Sequence, residues 1–175
     1  MVPEHLVAEI IDGELVTSPR PASPHTFATS SIGADLFGAF GRGPGGGGPG
    51  GWWILDEPEL HLGPDVLVPD LAGWRHERMP KIPNVPAFDL VPDWICEVVS
   101  ISTAQDDRVR KMRIYAREGL PYLWLVDPLA QTLEAYGLEG GRWVVHGSFA
   151  GSVKVRVEPF EAIELDPSRW WLEGT

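Results

Sequence analysis

The stretch "DWICEVVS", residues 93–100, limits the fold more than any other segment of the chain. Side chains alternate along a strand, so Trp94, Cys96 and Val98 face one way and Ile95, Glu97 and Val99 the other. Both sets are apolar except for Glu97, the pattern of a central strand in a sheet covered on both sides. An ionised carboxylate is costly there unless something pairs with it. The fold must therefore bring a partner to Glu97.

The flanking segments predict a sheet with helices packed on it. "AEIIDGELVTS", 8–18, alternates around a turn-forming Asp-Gly pair and reads as a β-hairpin. Ser23 as N-cap and Pro24 at the first helical position open a helix over 23–40, with Phe27, Ile32, Leu36, Phe37 and Phe40 as its apolar stripe. "WWILDEPELHL" and "DVLVPDLAGW" read as strands of a meander, in which Pro69 requires an edge or a bulge. The four prolines of residues 78–92 indicate an ordered surface loop. A second helix runs over "TAQDDRVRKMRIYAREG", capped by Thr103 with Asp106 completing a capping box, and turns Val109, Met112 and Ala116 inward. Gly119 and Pro121 end it. "PYLWLVDP" is another buried strand, "TLEAYGLEGGRWVVHGSF" a hairpin turning at Gly140-Gly141, and "FEAIEL" a last strand. The expectation is a single α/β domain over 1–175 with a mixed sheet. "GRGPGGGGPGG", 41–51, reads as a flexible connector rather than a phosphate cradle, because it lacks the Lys-Ser/Thr ending and its prolines remove N–H donors.

Composition narrows the function classes. One cysteine excludes a disulfide framework and a Cys-rich zinc site, and the five histidines show no metal-binding spacing. No segment approaches the roughly 18 apolar residues of a membrane span. "MVPEHLVAEI" lacks the basic start and apolar stretch of a signal peptide, so a cytoplasmic location is the expectation. The net charge of −11 opposes a broadly basic nucleic-acid surface. Any such surface must be local, and "RVRKMR", 108–113, with Arg117 is the densest basic stretch, either gripping a DNA backbone or forming a solvated helix face.

Acidic residues at strand ends with a lysine nearby are a general recipe for metal-dependent phosphodiester cleavage. Asp70 in "VPDLAG" and Glu97 in "ICEVVS" are the candidates, 27 residues apart. If the helix starting near Thr103 folds back along the strand, Lys111 lies eight residues in, about 12 Å along the axis. Glu97 lies three residues back from Ser100, about 10 Å at the strand rise, so the two side chains come level.

"PD" followed by (D/E)-x-K resembles the signature of the restriction-endonuclease-like nuclease superfamily, although Val99 stands where its lysine is expected. The chain also resembles a narrower family, Uma-two, through "EIIDGELVTSPRPASPH", "GPDVLVPDLAG" and "PDWICEVVSISTAQDDRVRKMRIYAREGLPYLWLVDP". The resemblance implies a restriction-endonuclease-like fold, with a central mixed β-sheet flanked by helices and extra hairpins. It also implies Asp70, Glu97 and Lys111 as the active-site trio, Asp70 and Glu97 as ligands of Mg²⁺ or Mn²⁺, DNA as substrate and a homodimer. Around the trio, Glu9 and Glu14 either add a carboxylate near the metal or border the hairpin. His25 either contacts a phosphate or is a polar surface residue. Tyr115 either aligns Lys111 or a phosphate, or packs in the core. The eight tryptophans suit core or dimer packing better than base stacking. The rival readings are a catalytically silent dimeric interaction module of the same fold and a hydrolase of small phosphate esters.

Overall fold

A computed structural model describes residues 6–43, 47–101 and 103–173. The first five residues, including His5 and part of the stretch read against a signal peptide, lie outside it. So do 44–46 of the glycine/proline connector. Strands β1 (Leu6–Ile11) and β2 (Glu14–Pro19) form the expected hairpin, with Asp12 at φ 55° and Gly13 at φ 79°. Two successive positive φ values make the turn whose twist matches paired strands. After helix α1 (Ser23–Leu36) come β3 (Trp52–Asp56), β4 (Leu60–Leu62), β5 (Asp65–Leu67), β6 (Leu71–Arg75) and β7 (Trp94–Val98). A π-helical segment, Asp106–Lys111, leads into helix α2 (Met112–Arg117). Strands β8 (Tyr122–Asp127), β9 (Thr132–Glu139) and β10 (Arg142–Ala150) follow, the last two joined through Gly140 and Gly141, both at positive φ.

The strands form two sheets. One has the order β2-β1-β5-β4, the other β10-β9-β8-β7-β6-β3. In the larger sheet β7 and β8 pair in parallel, with Glu97 opposite Leu125, and the remaining neighbours are antiparallel. A parallel pair needs a crossover, and the helical segment 106–117 supplies it. The predicted mixed sheet is present, but the meander is not. Strands β3 and β6 pair in the large sheet, whereas β4 and β5 pair in the small one. The chain changes sheets at Val68-Pro69-Asp70, and there the missing N–H of Pro69 takes nothing from a ladder.

Alternation along β7 divides the core as expected. Trp94, Cys96 and Val98 join a cluster with α1 and with Phe160, Trp124 and Trp170. Ile95 and Val99 join a cluster with Ile11, Leu67, Ile114 and Tyr115 on the opposite face. Phe160 sits among aromatic rings, with centroids 4.8 Å from Phe40 and Trp52 and 5.0 Å from Trp94. Six tryptophans are buried, so they build the core as expected.

Several local expectations fail for identifiable reasons. Ala22, not Ser23, holds the N-cap position of α1, and no side chain caps it. The buried face of α1 is His25, Ala28, Thr29, Ile32 and Leu36, while Phe27 and Phe37 are exposed. At the second helix Ser100 and Thr103 cap reciprocally: the Ser100 hydroxyl accepts the Thr103 N–H at 3.2 Å and Thr103 Oγ1 accepts that of Ser100 at 3.3 Å. Its inward face is Asp107, Lys111, Ile114 and Tyr115, and Val109 is 58% exposed. Two of these inward positions are charged; of the expected stripe Met112 packs against the core, whereas Val109 faces solvent. "FEAIEL" is not a strand but a loop with one bridge, Val155 to Leu165.

The basic run of the second helix is consumed internally. Arg110 reaches the Ile11 carbonyl at 2.7 Å and Glu14 at 3.0 Å, and Arg113 reaches Asp12 at 2.6 Å. Arg117 meets fully buried Asp65 at 2.7 Å, whose other oxygen accepts the Asp12 N–H at 2.6 Å. These contacts clamp the small sheet onto the helix. Among the described residues no helix is long and apolar enough to cross a membrane. Asp65→Ala should lower stability by about 2 kcal/mol, because it leaves the Asp12 amide and one guanidinium edge without their acceptor. Denaturant unfolding measures the loss, and amide exchange at Asp12 should accelerate more than at β8.

Candidate active site

Five elements converge around the buried end of β7. Glu97 is 2% exposed there. Glu9 comes from β1, Asp70 from the corner between the sheets, His25 from the first turn of α1, and Asp107 and Lys111 from the π-helical segment. A π-turn widens the helix locally, and such turns often mark functional sites. Asp107, Lys111, Ile114 and Tyr115 nonetheless share one face, which points at the sheet.

Lys111 is the cation the buried strand required. It is 4% exposed, and its Nζ lies 3.0 Å from Glu9 Oε1, 3.2 Å from Asp107 Oδ1 and 3.4 Å from Glu97 Oε1. The Tyr115 hydroxyl donates to Glu97 Oε1 at 2.6 Å, and the Val68 N–H donates to Glu9 Oε1 at 2.8 Å. Asp70 is held through both oxygens: Oδ2 accepts the Val98 N–H at 2.7 Å, and Oδ1 lies 3.1 Å from His25 Nε2. Burial leaves His25 Nδ1 without a hydrogen-bond partner among the described residues.

Glu9, His25, Asp70, Glu97, Asp107 and Lys111 line one cavity of about 60 Å³, room for one or a few small species. Burial pushes the Glu97 carboxyl well above the ordinary range. Lys111 opposes that shift, while the charges of Asp107, Asp70 and Glu9 reinforce it. Burial acts in the opposite sense on Lys111, but Glu97, Asp107 and Glu9 outweigh it and hold the ammonium well above its usual value. His25 is likewise raised, with Asp70 overcoming the cost of burial.

Asp70, Glu97, Lys111, Glu9 and His25 therefore share the cavity, and Tyr115 both packs in the core and holds Glu97. His25 is buried, so its surface reading fails. Glu14 does not join them: it is exposed and paired with Arg110, which makes it a border residue of the hairpin. Asp107 is the residue that sequence reasoning missed. Its i, i+4 spacing to Lys111 is that of an ordinary helix-surface pair, but burial makes it part of the cradle.

The donor set fits a hard, hydrated divalent cation. Five carboxylates, Glu9, Glu57, Asp70, Glu97 and Asp107, line the cavity with one ammonium and one imidazole, an excess of negative charge. Among the described residues no three His, Cys, Asp or Glu groups are arranged to hold a metal alone. Mg²⁺ uses one or two carboxylates and keeps waters or phosphate oxygens, so a pair such as Asp70 and Glu97 would be enough to hold it. The set does not suit a structural zinc site, which wants a closed nitrogen and sulfur shell.

Two outcomes follow from this charge imbalance. The elevated carboxyl of Glu97 weakens folding as pH rises from its unfolded value toward its folded one. In metal-free buffer near pH 7, Glu97→Gln should therefore raise stability by about 1 kcal/mol, or about 2–4 °C in Tm, and abolish any Mg²⁺-dependent stabilisation. Lys111→Ala should cost about 3–5 kcal/mol, because it strands three carboxylates. Millimolar Mg²⁺ or Mn²⁺ should recover part of that loss, read by thermal melts with and without the ion.

A family model for Uma2, described as "Putative restriction endonuclease", matches residues 3–168. No curated protein matches the chain. A crystal structure described as a "putative nuclease belonging to DUF820" from Anabaena variabilis aligns with a TM-score of 0.72 at 22% identity, covering 94% of this chain and 89% of that one. At that identity the likeness is one of fold, and the fold is the restriction-endonuclease-like one.

Proposed function

The chain belongs to the Uma2 family of restriction-endonuclease-like proteins, and from that premise we propose that it is a DNA endonuclease dependent on Mg²⁺ or Mn²⁺. The observation that carries this reading is the meeting of Asp70, Glu97 and Lys111 in one buried cavity with surplus carboxylate charge. Asp70 and Glu97 would hold the ion. Once bound, it supplies a more acidic water and neutralises charge building on the phosphate.

The chain's own groups do the remaining work. The Val98 N–H and His25 fix the orientation of Asp70, and Tyr115 fixes that of Glu97. Ligand carboxylates held in this way lose little freedom when a cation arrives. The carboxylates around Lys111 favour its ammonium form, which would serve as a hydrogen-bond donor and positive charge that positions or activates the attacking water. Its carboxylate cradle delivers that charge from a helix to the place where the superfamily pattern puts a strand lysine.

DNA is the substrate class this reading assigns, with small phosphodiesters as the comparison. Supercoiled plasmid incubated with Mg²⁺ or Mn²⁺ should be nicked or cut. Glu97→Gln and Asp70→Asn should each reduce cutting by at least about 100-fold, the scale of removing one group that stabilises developing charge. Equal cutting by wild type and both variants would overturn the assignment. Faster turnover of a small phosphodiester than of DNA would move the substrate to the smaller class.

A further inference from the structure

We propose that the groove beside the catalytic cavity is a subsite for one unpaired nucleotide next to the scissile phosphate, with Arg20 as its phosphate contact. The proposal rests on the nuclease reading above. The groove has a volume of about 370 Å³, within the range of small-molecule sites. Pro19, Pro21, His25 and Ser100 line both the groove and the catalytic cavity, so the two are continuous. Its outer wall is apolar and open at Ile101, 89% exposed, and Leu129, 56% exposed, over buried Val99 and Pro128.

Charge selects the occupant. A chain of net charge −11 must attract a phosphate backbone through local cations. The arginines of the second helix are neutralised by Asp12, Glu14, Asp65, Asp106 and Glu134, and Lys111 by its three carboxylates. Arg20 lies on the groove, exposed and without a hydrogen-bond or ion-pair partner among the described residues. An apolar shelf with a free guanidinium at its edge, opening onto a phosphodiester-cleaving cavity, matches a nucleotide: the shelf takes the flat base or the sugar, and the arginine takes the phosphate.

The shelf is mainly proline and aliphatic carbon, with little to read the hydrogen-bonding edge of a base, so it is tolerant of sequence. A base inside a duplex is already stacked on both faces and must leave the stack before it can use such a surface. The subsite therefore favours single strands, ends and flaps over continuous duplex.

The test measures binding of labelled single-stranded and blunt duplex oligonucleotides in EDTA, where no cutting occurs, for wild type, Arg20→Ala and the double variant Ile101→Ser/Leu129→Ser. All three positions are exposed, so the variants should fold as wild type does. Wild type should prefer the single strand. Arg20→Ala should weaken that binding about 5- to 10-fold and flatten its salt dependence by about one phosphate contact. The double variant should weaken it about 10-fold with the salt dependence unchanged. In Mg²⁺ both should raise KM for single-stranded DNA and leave kcat in place.

Variants that bind single strands as wild type does, while wild type cuts DNA, would overturn the subsite and leave the nuclease reading standing. Equal losses for duplex and single strand would also overturn it. So would a dimer in sedimentation that the double variant dissociates, since the groove would then be an interface between copies. A wild type that neither binds nor cuts DNA would sink both readings together.

Discussion

The ammonium of Lys111, held among Glu9, Glu97 and Asp107, is the contact on which the rest of the molecule depends. It ties β1 of the small sheet, β7 of the large sheet and the crossover helix to a single point. Desolvating charges is expensive, and a buried cluster of this kind rarely adds net stability over well-packed hydrophobic residues. Its surplus of carboxylate over ammonium leaves buried negative charge beside an open cavity. The arginine clamps at Asp12 and Asp65 repeat the arrangement at the periphery, with helix cations meeting acids of the small sheet. The relation between hairpin and helix is therefore electrostatic as well as apolar.

Much of this was legible in the chain because the strands obey period-two patterning. The two faces of β7, both hairpin turns and the buried strand β8 follow from alternation and from Asp-Gly or Gly-Gly pairs, whose positive φ few other residues adopt readily. The level placement of Glu97 and Lys111 followed from rise per residue alone. What failed did so where polarity and burial part company. Asp107 and Lys111 occupy inward positions of a helix, so a search for apolar periodicity selected Val109, which faces solvent. His25 was misjudged for the same reason, since a histidine in the first turn of a helix gives no local sign that a carboxylate from 45 residues away will cover it.

Other errors came from topology. Two consecutive strand pairs look like a meander until the corner at Pro69 sends one pair to each sheet, and no local propensity specifies which sheet a three-residue strand joins. The basic run of the second helix, a plausible DNA-gripping face from composition, is spent on internal acids. Net charge carried the sounder lesson: with −11 overall, most cations in such a chain have partners within the molecule.

The bond from the Val98 N–H to Asp70 Oδ2 has a mechanical meaning. Strands β6 and β7 are paired through Leu71 and Cys96 and then part, so the sheet splits into a fork at that step. In the crotch of the fork a side chain stands in for the missing strand and gives Val98 the acceptor its neighbour no longer offers. Asp70 is thus a piece of scaffold as well as a lining residue of the cavity, and the ladder below the fork governs its position. A change that shifted the register of β6 would move the Asp70 carboxylate without altering any residue that lines the cavity. The seam between the strands acts as the hinge pin of the cavity.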